Sequence, residues 1–157
     1  MNENDMLNEL LTYAAYDTEK VIEYWNAMDY DQRIVAYTLY TSEWNYEALE
    51  CVEIAYDGDY ALYSEQCKTL ADVAREEFEC FDADTMIRCL NDVGGWESYV
   101  DWDLANQYYE YFDEELLRHE LWQGHLEFID WDAVGGAKDS VHNMIYSDVT
   151  GRWVEVN

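Results

Sequence analysis

The chain has 157 residues and sets 36 Asp plus Glu against 8 Lys plus Arg, a formal net charge of -28 at neutral pH. Proteins that hold nucleic acid or anionic lipid do so with Lys and Arg placed against phosphates, so this balance excludes direct nucleic-acid binding and attachment to an anionic membrane. Half of the residues are apolar and 17% are aromatic, with 15 Tyr and 7 Trp, enough for one core or two small ones and unlike a disordered acidic tail.

In chain order, Met1 to Asp5 is acidic and leads into no long apolar stretch, so neither a signal peptide nor a membrane span is expected and the cytosol is the default location. Asp17 and Thr18 cap a helix with Val21, Ile22, Trp25 and Met28 on one side. A second helix, after the acidic turn Asp29 to Asp31, carries Ile34, Val35 and Leu39. A third, from about Trp44 to Ile54, buries Ala48, Cys51, Val52 and Ala55. The turn signal around Gly58 then precedes an aromatic-rich strand, Tyr60 to Tyr63. Thr69 opens the clearest helix, with Leu70, Val73, Ala74, Phe78 and Phe81 on its apolar face. A further helix holds Met86, Ile87 and Leu90 and stops at Gly94 and Gly95, where glycine suits a left-handed cap. The segments around Met144 to Ser147 and Trp153 to Val156 read as a terminal β-hairpin.

The expected fold class is therefore α+β, mainly α. Residues 1–56 form a helical bundle, and residues 57–157 form an α/β unit whose short antiparallel sheet joins the Tyr60 strand to the hairpin. Proline is absent, and nothing reads as a linker. Cys51, Cys67, Cys80 and Cys89 would permit two disulfides in a secreted chain, but buried reduced thiols are expected here.

Two segments echo each other 29 residues apart: Tyr99 to Ala105 and Phe128 to Val134 share an aromatic, a β-branched residue, Asp-Trp-Asp and two apolar positions. They read either as two helix N-termini, each with Asp favoured by the helix dipole, or as a duplicated acidic surface element built on Asp101, Asp103, Asp130 and Asp132.

Motifs for chemistry fail on spacing. His119-Glu120 begins like a two-histidine zinc helix, but Gln123 stands where the second ligand belongs, and His125 is at the wrong spacing. No Cys-x-x-Cys pair exists. Asp130, Asp132 and Gly135 match three positions of a calcium loop, yet Val134 and Val141 occupy ligand positions. Gly135-Gly136-Ala137 lacks the Lys-Ser/Thr of a phosphate loop. Paired carboxylates are uninformative among so many acids, so no catalytic residue, metal or cofactor is expected, and the three histidines read as structural or surface residues.

The acids recur on faces opposite the apolar stripes. Glu43, Glu47 and Glu50 line up at helical spacing, with Glu53 and Asp57 at the margins of the same stripe, and Asp72, Glu76 and Glu79 share a face of the Thr69 helix. One helical turn separates such carboxylates by about 5 to 6 Å, close to a phosphate track. Duplex DNA carries one charge per roughly 1.7 Å, so this net charge corresponds to about 48 Å, or some 14 base pairs. Solubility alone accounts for the charge but not for the many large aromatic side chains, which suit a scaffold that holds like charges in fixed positions.

Thr69 to Glu76, Phe128 to Val134 and the hairpin ending Trp153-Val154-Glu155-Val156 resemble, in that order, segments of the ArdA family of antirestriction proteins, DNA mimics carried by mobile elements and phages. Met6 to Leu10 is similar to the start of that family's central helical domain, and the family's N-terminal sheet-rich domain is expected to be missing. The resemblance implies dimerisation through the C-terminal part and inhibition of a type I restriction-modification enzyme by occupation of its DNA site. On this reading Glu43, Glu47, Glu50, Glu53, Asp57, Asp72, Glu76, Glu79, Asp101, Asp103, Asp130 and Asp132 stand in for phosphates. An anti-CRISPR or other DNA mimic aimed at a different nuclease, and an acidic adaptor or chaperone for a basic protein, stay open beside it.

Overall fold

Side-chain caps decide where most of the helices begin. In the computed structural model, which describes residues 2–157, Asn2 accepts the Asp5 N–H at 2.9 Å and opens α1 (Glu3–Thr12). Asp17, expected to cap α2 (Thr18–Ala27), makes no side-chain cap, and the Thr18 hydroxyl turns back to the Ala15 carbonyl at 3.0 Å. Asp29 and Gln32 then exchange hydrogen bonds in a capping box that starts α3 (Tyr30–Tyr40). A second capping box, Thr69 with Asp72, starts α5 (Leu70–Glu79), and Asp82 caps α6 (Ala83–Val93). Asp101 caps α7 (Trp102–Tyr108), Asp113 caps α8 (Glu114–Trp122), and Asp130 accepts the Ala133 N–H at 3.3 Å at the start of α9 (Trp131–Val141). α4 (Ala48–Asp57) lacks a side-chain cap and ends on Gly58 in the left-handed conformation at φ 75°.

The three strands β1 (Ala61–Leu62), β2 (Asn143–Ser147) and β3 (Arg152–Val156) form one antiparallel sheet in the order β1-β3-β2. Leu62 and Ile145 both pair with Val154. The chain is thus mainly helical with a small antiparallel sheet, as its pattern predicts, and the Tyr60 segment does join the hairpin.

The boundary falls elsewhere than at residue 56. Residues 2–68 together with His142–Asn157 make one compact unit, and Thr69–Val141 makes the other. Burial explains the difference: Ile145, Val154 and Val156 share one core with Met6, Leu10, Trp25, Ile34, Leu39 and Val52, so the hairpin closes the N-terminal helices instead of building a C-terminal α/β unit. Within this unit Arg33 donates to the Trp25 carbonyl at 2.9 Å, pairs with Glu3 at 3.0 Å and lies over the Trp25 ring.

The second unit is helical, and the 29-residue echo is its framework. In each copy a helix ends near a glycine with positive φ, Gly95 at 94° and Gly124 at 83°. A 3-10 turn follows, then one extended residue, then the Asp-capped helix. The extended residues Val100 and Ile129 pair across an antiparallel bridge, with Asp101 N–H on the Phe128 carbonyl and Asp130 N–H on the Tyr99 carbonyl, both at 2.8 Å. The indoles of Trp102 and Trp131 each donate to the carbonyl five residues earlier, Glu97 and Leu126. Phe128 stacks on Phe112 with ring centres 5.6 Å apart, and Trp131 meets Phe78 edge-on. Gly94, expected in the left-handed cap, has an extended φ instead, and the positive φ falls on Gly95, which opens the following 3-10 turn.

α5 packs on α9 through Gly135, where a Cβ would lie 2.7 Å from the Leu70 carbonyl. The calcium-loop match therefore falls on a helix that glycine lets approach its neighbour. Gly135→Ala should destabilise the protein by about 1 to 3 kcal/mol through overpacking. Gly136→Ala, with nothing within 4 Å of the new methyl, should stabilise it by up to about 1 kcal/mol through helix propensity. Urea unfolding of the two variants checks both signs.

Candidate functional site

The acids remain outside the cores. Among the described residues Glu120 is the one buried carboxylate. Basic side chains, already few, reach carboxylates: Arg33 to Glu3, Arg75 to Glu79, Arg118 to Asp84 and Glu114, Arg152 to Asp31, and Lys138, almost buried, to Glu77. Among the described residues no group of three or more His, Cys, Asp or Glu is placed to hold a metal ion, and no helix is long and apolar enough to cross a membrane.

The expected row from Glu43 to Asp57 is broken. α4 begins at Ala48, and Asn45 adopts a left-handed φ of 57° just before it. Glu43 thus lies in an exposed turn and Glu47 on extended backbone at the N-cap, so neither extends a helical stripe. Glu50, Glu53 and Asp57 are on the helix. Glu53 and Asp57 meet Glu23 of α2 around Tyr24, whose hydroxyl is pushed up first by burial and then by these three carboxylates. A second concentration surrounds Tyr60, raised by burial and by Asp29 and Asp31, with Arg152 opposing.

On α5, Asp72 is engaged as a cap, accepting the Thr69 N–H at 3.0 Å, Glu79 pairs with Arg75 at 3.3 Å, and Glu76 is half-buried. In the duplicated segments Asp101 and Asp130 cap their helices, whereas Asp103 and Asp132 are exposed in the first turns. The two readings of the echo thus divide between neighbouring acids.

Aromatic side chains are not all packed inside. Tyr13, Tyr16, Tyr108, Tyr111 and Trp122 are largely exposed, beside Asp17, Glu110 and Asp113 in the sequence. Cys51 and Cys67 are buried as expected, and burial pushes the Cys51 thiol up to about 12, but Cys80 is exposed.

One cluster escapes a search by spacing. Glu120, on α8, accepts hydrogen bonds from the Tyr109 hydroxyl and from His125 Nδ1, the latter at 2.6 Å. Gly124 makes the turn that brings His125 back over the helix end. The Tyr109 hydroxyl and then the His125 ring hold the Glu120 carboxyl below its usual range, and Glu120 holds His125 above its own. Leu104, Tyr108, Glu127 and Phe128 complete a cleft around the pair, which supplies no serine or cysteine nucleophile. The arrangement favours the protonated form of His125 and ties it to the α8 terminus.

Comparison with protein-family models, with curated proteins and with solved structures returns no match.

The lowered Glu120 group adds stability above its unfolded value of 4.5 and loses it as pH falls through its folded value. The raised His125 group adds stability below 6.5 and loses it as pH rises through its folded value. The pair therefore contributes most between 4.5 and 6.5. Thermal melts should show His125→Gln further below the parent at about pH 6 than at about pH 8.5. An equal deficit at both pH values would remove the ion pair from the account.

Proposed function

We propose that the chain is a DNA mimic that occupies the DNA-binding groove of a bacterial defence enzyme. On the similarity to the ArdA family, that enzyme is a type I restriction-modification system. The observation that carries this reading is the surface itself: 36 acids against 8 bases, with Glu120 alone buried among the described carboxylates. A groove shaped for duplex DNA is lined with Lys and Arg, and a folded polyanion meets it with carboxylates already held in place. Exposed Tyr and Trp among the carboxylates add ring faces on which guanidinium groups can stack.

Binding of this kind is steered by charge, fast, and weakened by salt. Ten of the twelve acids fall into two groups for a test. Asp72, Asp101 and Asp130 cap helices, and replacing them would confuse folding with recognition. Glu43, Glu47, Glu50, Glu53, Asp57, Asp103 and Asp132 do not cap helices through their side chains, so they can be changed to amides together.

In a DNA-cleavage assay with a type I enzyme, the combined variant should associate roughly ten times more slowly than the parent at low salt, with the gap closing as salt rises. A single amide replacement should change inhibition less than about twofold, since the charge is shared among many groups. Duplex DNA should displace the parent from the enzyme. Undiminished inhibition by the combined variant would remove the basis of the reading. Tight binding to a basic protein that leaves every DNA enzyme active would put the acidic adaptor in its place.

A further inference from the structure

A cleft of about 470 Å³ opens between the C-terminal turns of α3 and the end of β2. Three hydroxyls of its lining turn their protons back to the helix. Thr38 Oγ1 donates to the Ile34 carbonyl at 2.7 Å, Thr41 Oγ1 to the Tyr37 carbonyl at 3.1 Å and Ser42 Oγ to the Leu39 carbonyl at 2.7 Å. With each hydroxyl proton committed to the helix, what these side chains offer the cleft is lone pairs. Asp148, exposed at the rim, adds a carboxylate, and none of the lining residues is basic.

The last turn of α3 also has no basic residue, so the negative end of its dipole is uncompensated there. Ser147 supplies the observation that points to a ligand. It is 2% exposed, lines the cleft, and its Oγ has no hydrogen-bond partner. An unpaired buried hydroxyl is unfavourable unless something meets it. Ile145, Tyr146 and Val149 provide apolar walls for a flat, weakly hydrated group.

We propose that this cleft takes a guanidinium group, donated in the complex by an arginine of the basic partner. Its five N–H donors suit a pocket that offers acceptors from several directions, and its flat faces suit the apolar walls. The identity of the arginine's owner rests on the DNA-mimic reading, whereas the cleft's preference for guanidinium does not.

The test uses the full chain and a small probe. Amide chemical shifts are followed by NMR while N-acetyl-arginine amide is added, with N-acetyl-citrulline amide as the neutral counterpart and N-acetyl-lysine amide as the compact cation. The arginine compound should give saturable shifts centred on Thr41, Ser147 and Asp148, and the citrulline compound should give none there. The lysine compound should bind more weakly than the arginine compound. Ser147→Ala should leave the unfolding midpoint unchanged or raised, because it removes an unpaired hydroxyl, yet weaken the probe about threefold or more. Asp148→Asn should weaken it about three- to tenfold. Equal shifts from arginine and citrulline compounds, shifts spread evenly over the acidic surface, or full affinity in both variants would overturn the proposal. Failure of the parent chain to inhibit any DNA enzyme would strike the mimic reading instead and leave the probe data untouched.

Discussion

Like-charge repulsion is the constraint that the rest of this structure answers. A net charge of -28 on 157 residues favours expansion, and so few bases cannot neutralise it. The fold answers through placement. Every helix carries an acid in its first turn, from Glu3 and Asp5 in α1 to Asp132 in α9, where the dipole's positive end favours it by about 0.3 to 1 kcal/mol each. Many short helices offer many such ends. A chain of the same composition folded into a few long helices would have fewer places where a carboxylate is welcome.

The second unit shows the same logic inside a repeated frame. Its two copies meet through a single bridge between Val100 and Ile129, too small to hold strands together by hydrogen bonding alone. The indole hydrogen bonds of Trp102 and Trp131, the stacked Phe112 and Phe128, and the α5–α9 contact at Gly135 supply the rest. The aromatic content is therefore partly a substitute for a large aliphatic core. Packed rings fix the loops from which Asp101 and Asp130 reach back to cap their helices, so the acids and the rings of the Asp-Trp-Asp motif depend on one another.

Local signals were legible and long-range ones were not. The turn before α3, the helix start at Thr69, the apolar faces of α2, α3, α5 and α6, and the strands of the hairpin are all written in short windows. The pairing of β1 with β3 followed from strand chemistry, but the return of the hairpin to the N-terminal core depends on Ile145 and Val154 finding Leu39 and Val52, which no local window contains. Glu47 misleads for a different reason. The spacing from Glu43 to Glu50 is helical, yet α4 starts only at Ala48 because the chain turns through a left-handed Asn45. Asn tolerates that conformation better than most residues, a signal that periodicity overrides when read alone. The Glu120–His125 contact was hidden because its partners are five residues apart across a glycine turn, a spacing that no regular helix brings together.

These placements bear on how many phosphates such a surface can imitate. A carboxylate that caps a helix shares its charge with backbone N–H groups, and one paired with Arg or Lys is locally neutralised, so neither presents a full negative charge to a partner. Asp72, Asp101 and Asp130 belong to the first kind and Glu79 to the second. Glu50, Asp57, Asp103 and Asp132 instead stand exposed on their helices. The net charge already subtracts the paired bases, so it is the capping acids that make its equivalence to some 14 base pairs an upper bound, and on the DNA-mimic proposal the duplex imitated would be shorter. On the DNA-mimic proposal, recognition would then rest on the outward acids and on the rings between them, where position matters more than total charge.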